Sequence, residues 1–287
     1  MASASAPAWL LLRGADAAPA QPAPSRSRVV LLHGWLQDHS SWLRTALSLR
    51  DTYGHDVLLL DFWGHGASPV VLEKLHPAAF TSLVHDRLRA LGWDHGEPIA
   101  LAGASLGAAI AMRYTRDHPG RVERLTLVAP AGLSEPWFHP TNYAGRLSAA
   151  LVAALPTALT TSWPLNGKLH LVETTPSYGL MEAEVVALAR SLGRQLSVYT
   201  AGLDIVHSPH STFWRGLGEA HGCSYTKFAL ASHWALCLGL FEAGFHKEER
   251  LWHEPRAPRE RAQDEAPPQR RRYDAGSGLR AAARSRL

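Results

Sequence analysis

The sequence predicts an α/β fold built on a mostly parallel, doubly wound sheet. Three observations carry that expectation. Short apolar runs alternate with segments of helical periodicity from residue 28 to residue 128. The run that follows Arg28, Val-Val-Leu-Leu32, is continuously apolar, as suits a strand of a parallel sheet covered on both faces. Another run, Pro98-Ile-Ala-Leu-Ala102, enters Gly103-Ala-Ser105-Leu-Gly107 and then an Ala-rich helical segment. That is a G-x-S-x-G in its meaningful context, a strand, a sharp turn and a helix.

The elements follow in order. Residues 1–27 are an N-terminal segment rich in Ala, Ser and Pro, with an edge strand expected at 8–13 and a Pro-rich loop at 17–27. Its longest apolar piece, Ala8 to Leu12, is too short for a secretory core. Import into an organelle is a weak option beside a cytoplasmic location. Arg28-Val-Val-Leu-Leu reads as a buried strand ending in His33-Gly34-Trp35. Ser40 to Tyr53 is an amphipathic helix that Gly54 closes. Asp56 to Asp61 is the next strand, and it empties into the small-residue loop Phe62 to Ser68. Phe80, Leu83, Val84, Leu88 and Leu91 recur at helical spacing. The helix after Ser105 should end near His118-Pro119-Gly120, ahead of a strand at Val122 to Val128.

From residue 134 to about 195 the alternation lapses. Prolines 136, 140, 156 and 164 interrupt apolar patches, and an amphipathic helix is expected at 175–192 with Leu180, Met181, Val185, Leu188 and Leu192 on one side. Sheet order resumes with Leu196 to Asp204, a helix at Ser211 to His221, a strand at Cys223 to Leu230, and a last helix to about Trp252. The body therefore spans 28–252. The tail at 253–287 lacks hydrophobic periodicity and is expected to be disordered.

Composition excludes several functions. The formal net charge is +4, but the tail alone carries nine arginines and five acids, so residues 1–252 carry no net charge. A nucleic-acid role needs a basic body, and this one has none. The acids interspersed in the tail weaken any case for an anionic membrane surface. No apolar run has the length of a transmembrane helix, so no stable membrane insertion is expected. Cys223 and Cys237 form neither a disulfide framework nor a metal-ligand spacing. No metal or cofactor is expected.

Four motifs, in order, resemble those of the α/β-hydrolase fold, specifically its capped serine hydrolases of the esterase type. They are His33-Gly34, the loop Asp61-x-x-Gly64-x-Gly66-x-Ser68, the elbow Gly103 to Gly107, and Gly202-x-Asp204 ahead of Ile205-Val-His207. The resemblance covers roughly 28–133 and 196–245. It implies a helical cap in the insertion at about 134–195.

It also implies a mechanism. A serine hydroxyl needs a base during attack, and that base is normally a histidine oriented by a carboxylate. In this fold the chain order is serine, acid, histidine. Ser105, Asp204 and His233 fit that order, and His233 is the histidine that follows the last strand. Ser232 precedes it where the family often has glycine. Glu135, and more weakly Glu173, are alternative acids. The N–H groups of Leu106 and Trp35 are the implied oxyanion donors. His33, Gly34, Trp63 and Trp234, with Phe62, should line the mouth of the substrate pocket, and Asp61 and Ser68 should fix their loop. The expected activity is hydrolysis of a small-molecule carboxylic ester, or an acylglycerol-like lipid, through an acyl-enzyme. A carbon–carbon hydrolase, thioesterase or lactonase on the same scaffold stays open, as does a non-catalytic ligand-binding member. Oligomeric state is not legible.

Overall fold

The computed structural model describes residues 6–14, 27–35, 37–131, 179–202, 211–232 and 235–237. The strands are β1 (Trp9–Leu12), β2 (Arg28–Leu32), β3 (Asp56–Leu60), β4 (Ile99–Ala104), β5 (Val122–Val128), β6 (Leu196–Ala201) and β7 (Ser224–Phe228). The helices are α1 (Leu43–Tyr53), α2 (Pro77–Ala90), α3 (Leu106–Asp117), α4 (Glu182–Leu192) and α5 (Ser211–His221). The strands form one sheet in the order β1-β3-β2-β4-β5-β6-β7. Among the described residues only the β1–β3 pairing is antiparallel, with Trp9 opposite Leu60 and Leu12 opposite Val57. The remaining pairs are parallel.

The apolar strands divide their side chains between two cores. Val29 and Leu31 of β2 pack with Trp42, Ala46 and Leu49 on the α1 face. Val30 and Leu32 pack on the opposite face, with Leu83, Val84 and Leu88 of α2 and Ile110 of α3. This period of two, with both faces apolar, explains why the strands read as unbroken hydrophobic runs. Val185 and Leu188 of α4 and Trp214 and Leu217 of α5 join the second core.

Sheet order positions the site. The chain leaves β2 for β3 through α1, then returns past β2 to β4. The helices that follow the neighbouring strands β2 and β4, α1 and α3, lie on opposite faces. Loops departing to opposite faces open a crevice beyond the carboxyl ends of the two strands, the place where open α/β sheets bind ligands.

Expected and observed elements agree closely up to residue 131, and three later features differ. The helix expected at 175–192 is described from Glu182. Glu184 sets its start by accepting the Met181 N–H at 2.8 Å, while Arg116 of α3 reaches the same carboxylate at 2.8 Å. That tie rotates Met181 outward to 59% exposure, so Met181 does not share the packed face with Leu180, Val185, Leu188 and Leu192. The helix packs on the main core through Val185, Leu188 and Leu192. The last strand is Ser224–Phe228, shorter at both ends than expected. The rest of the expected cap (134–178), most of the last helix and the tail lie outside the described residues.

Candidate active site

Ser105 follows β4 and stands before the first residue of α3, with φ 50° and ψ −113°. A non-glycine residue in that region costs about 1–3 kcal/mol and persists only where its surroundings over-determine it. Here they do. The Ser105 N–H donates to the Val128 carbonyl at 2.9 Å, continuing the ladder with β5. Its carbonyl accepts the N–H groups of Ala108 at 3.0 Å and Ala131 at 3.2 Å.

The glycines on either side serve close approach. A Cβ on Gly103 would meet the backbone of Gly107 and the Ala108 nitrogen at 2.6 Å. A Cβ on Gly107 would meet the Leu32 carbonyl and the His33 oxygen at 2.6 Å. The spacing G-x-S-x-G thus presses the start of α3 against the end of β2. Gly34 completes the approach, since a Cβ there would stand 3.3 Å from Ser105 Cβ. The Leu106 N–H, at the first position of α3, has no acceptor within the helix and points toward the serine's end.

The loop after β2 is held from several sides. His33 is fully buried; its Nδ1–H donates to the Gly34 carbonyl at 2.7 Å and its Nε2 accepts the Phe62 N–H at 3.0 Å. Burial, with His65 beside it, pushes its pKa down to about 3, so the ring is neutral. The Gln37 N–H also donates to the Gly34 carbonyl, at 3.3 Å, and Gln37 Oε1 accepts the Gly34 N–H at 2.8 Å. Gln37 Nε2 reaches the Cys237 carbonyl at 3.4 Å. With the carbonyl of a trans peptide fixed, the Trp35 N–H is aimed the opposite way. Trp42 adds an Nε1–H bond to the Leu32 carbonyl at 3.0 Å. Gln37 and His65, whose ring lies 5.1 Å from that of His33, were not among the residues singled out from sequence. A glutamine three residues past a glycine carries no periodic signal that would have revealed it.

Asp61 and Ser68 organise the neighbouring loop as expected. The buried Asp61 carboxylate accepts the His39 N–H at 2.7 Å and the Ala67 N–H at 3.1 Å, and it also pairs with His39 Nδ1 at 2.9 Å. Ser68 donates to the Asp61 carbonyl at 2.7 Å and accepts the Ala8 N–H at 2.8 Å. Phe62 corrects an expectation. It is fully buried, stacked on Phe80 with ring centres 4.9 Å apart, and belongs to the core rather than a pocket mouth. Trp35 and Trp63 are half-buried. Trp63 lines a cavity of about 360 Å³ against α2, and Ser105, Gly34 and Trp35 are not among the residues lining it.

Asp204, His233 and Trp234 lie outside the described residues, as do Glu135 and Glu173. The strand ends that precede Asp204 and His233 are described. β6 and β7 run parallel to β4, so their carboxyl ends share its edge. The Gly202 N–H donates to the Phe228 carbonyl at 2.8 Å, tying the two loop bases together.

A family model described as Serine aminopeptidase, S33, matches residues 23–179, more than half of the chain. The chain belongs to this α/β-hydrolase family. Monoacylglycerol lipase abhd6-B of Xenopus laevis is 28% identical to it over 113 residues, 39% of this chain and 33% of that protein. Pimeloyl acyl-carrier-protein methyl ester esterase of Chromobacterium violaceum is 35% identical over 114 residues, 39% of this chain and 41% of that protein. The chain thus spans between a third and about two fifths of the length of these curated relatives. Among solved structures, the α/β-hydrolase MGS-M2 from a deep-sea metagenome superposes with a TM-score of 0.63 at 14% identity, over 88% of this chain and 94% of that one. A thermophilic esterase from Thermogutta terrifontis gives 0.62 at 17%, over 86% and 92%. At these identities the likeness is one of fold. For this α/β-hydrolase, no helix among the described residues is long and apolar enough to cross a membrane.

Proposed function

We propose that this α/β-hydrolase is a serine hydrolase that cleaves carboxylic esters with an apolar acyl group through an acyl-enzyme on Ser105. The observation that carries the reading is Ser105 itself, held at φ 50° between β4 and α3 with Gly34 packed against it. Backbone strain at a single polar residue, over-determined by its surroundings, marks a functional position.

In this mechanism His233 takes the hydroxyl proton as Ser105 Oγ attacks the ester carbonyl, and Asp204 holds the imidazole in the required tautomer. The carbonyl oxygen gains negative charge and accepts hydrogen bonds from the Leu106 and Trp35 N–H groups. The alcohol leaves with the proton from His233. Water, activated by the same histidine, then releases the acid and restores Ser105. The fixed Gly34 carbonyl supports the Trp35 role, because a donor held in place costs little reorganisation when charge develops. Relatives named for monoacylglycerol and methyl ester hydrolysis favour ester substrates.

A fluorophosphonate probe tests the assignment. Wild-type protein should be labelled, and Ser105→Ala should lose labelling together with ester turnover, by about 10⁶-fold in kcat. Across p-nitrophenyl esters, kcat/KM should rise from acetate to butyrate, since each buried methylene contributes about 0.8 kcal/mol. Undiminished labelling of Ser105→Ala would remove the serine from the mechanism. A flat chain-length profile with succinate esters accepted would retain the serine and replace the apolar acyl class.

A further inference from the structure

The cavity beside Trp63 carries a chemistry of its own. Its floor is one stripe of α2, on which Ala79, Ser82, Asp86, Arg87 and Ala90 recur at helical spacing. Lys74 enters from the preceding turn and His76 from the N-cap of α2. The alanines leave the space open, and about 360 Å³ falls within the range of small-molecule sites.

Arg87 is the unusual member. Its guanidinium lies over the indole of Trp9, 4.5 Å from the ring centre, and among the described residues no carboxylate pairs with it. Its Nε is buried and has no hydrogen-bond partner. Burial lowers its pKa from the ordinary arginine value, and no acid offsets that effect. The side chain as a whole is half-buried, but an N–H buried without a partner is costly, and such orphans mark places where an ion or ligand completes the bonding. Stacking on Trp9 holds the planar fork ready for an oxyanion, which arginine binds in bidentate fashion. Other donors converge on the same space. Lys74 supplies an ammonium and Ser82 a hydroxyl. His76 Nδ1 accepts the Ala79 N–H at 3.3 Å, which leaves the neutral ring's proton on Nε2. Asp86 is the one acid on the lining, set against two fixed cations.

We propose that this cavity is a binding site for a phosphate ester, with Arg87 and Lys74 as its anion-binding residues and Trp63 covering the organic part. Arg87, Lys74, His76 and Ser82 together present more donors than a carboxylate's two oxygens can use, whereas a phosphate monoester carries three unbridged oxygens. The site is separate from Ser105 and does not rest on the hydrolase reading.

Two arms test it on the Ser105→Ala protein, where turnover does not interfere. Calorimetric titration with sn-glycerol 3-phosphate reads a soluble phosphate ester. Sedimentation with phosphatidylcholine vesicles, with and without phosphatidic acid, reads a lipid headgroup. Saturable binding in either arm supports the site and identifies the source. Arg87→Met should weaken that binding by about tenfold or more, Lys74→Ala should weaken it less, and Asp86→Asn should strengthen it. Lys74 is on an exposed turn, so its variant reports even if Arg87→Met lowers stability. Absence of binding in both arms, or affinities unchanged by Arg87→Met and Lys74→Ala, overturns the proposal.

Discussion

His33 and Gly34 form a closed unit at the end of β2, the ring's Nδ1–H bonded to the carbonyl of the next residue at 2.7 Å. The bond requires a proton on Nδ1 and a bare Nε2 to accept from Phe62 at 3.0 Å, a pattern that only the neutral ring meets. A histidine in the H-G pair therefore sets the orientation of the Gly34–Trp35 peptide from within the core.

Acid should expose that dependence. In the unfolded chain His33 titrates near pH 6.5, whereas in the folded protein it stays neutral down to about pH 3. The unfolded state thus binds the extra proton between these values, and the stability due to this group, complete above pH 6.5, is lost progressively toward pH 3. The melting temperature of the wild type should fall more steeply across that window than that of His33→Gln. Parallel curves would show that His33 is not the group responsible.

Strain at Ser105 predicts an opposition between stability and activity. Glycine adopts φ 50° without penalty, while alanine inherits the serine's strain. Ser105→Gly should melt higher than Ser105→Ala, by about 1 kcal/mol in stability after the entropy cost of glycine, and both should be inactive. Equal melting temperatures would mean that the turn relaxes when the hydroxyl is removed.

The acid of the proposed triad is open to direct comparison. Asp204→Asn should lower kcat by roughly 10⁴-fold by favouring the wrong imidazole tautomer. Glu135→Gln should stay within about tenfold of wild type. Exchange of the two effects would move the acid to the loop after β5.

Sequence alone determined the features set by local chemistry. Unbroken apolar runs declared strands covered on both faces, and β2, β3 and β4 stand where those runs lie. The glycines at 103 and 107 announced the elbow because no other residue permits backbone to meet backbone at those points. Gly54, with φ 70°, closed α1 as its position promised. The candidate nucleophile was legible for the same reason.

Tertiary structure decided whatever depends on which distant segments meet. That β2 and β4 are neighbours, with Gly34 against Ser105, follows from a sheet order that returns past β2, and some seventy residues of intervening chain carry no local trace of it. Gln37 became a clamp on Gly34 because a loop folded back, not because of any spacing in the chain. Phe62 went to the core because Phe80 of α2 came to lie flat against it. Met181 turned outward because Arg116 and Glu184 set the start of α4. Periodicity specifies which side of an element is apolar; the partner that covers that side, and the loop atoms left facing each other across the crevice, are chosen only when the sheet closes around its core.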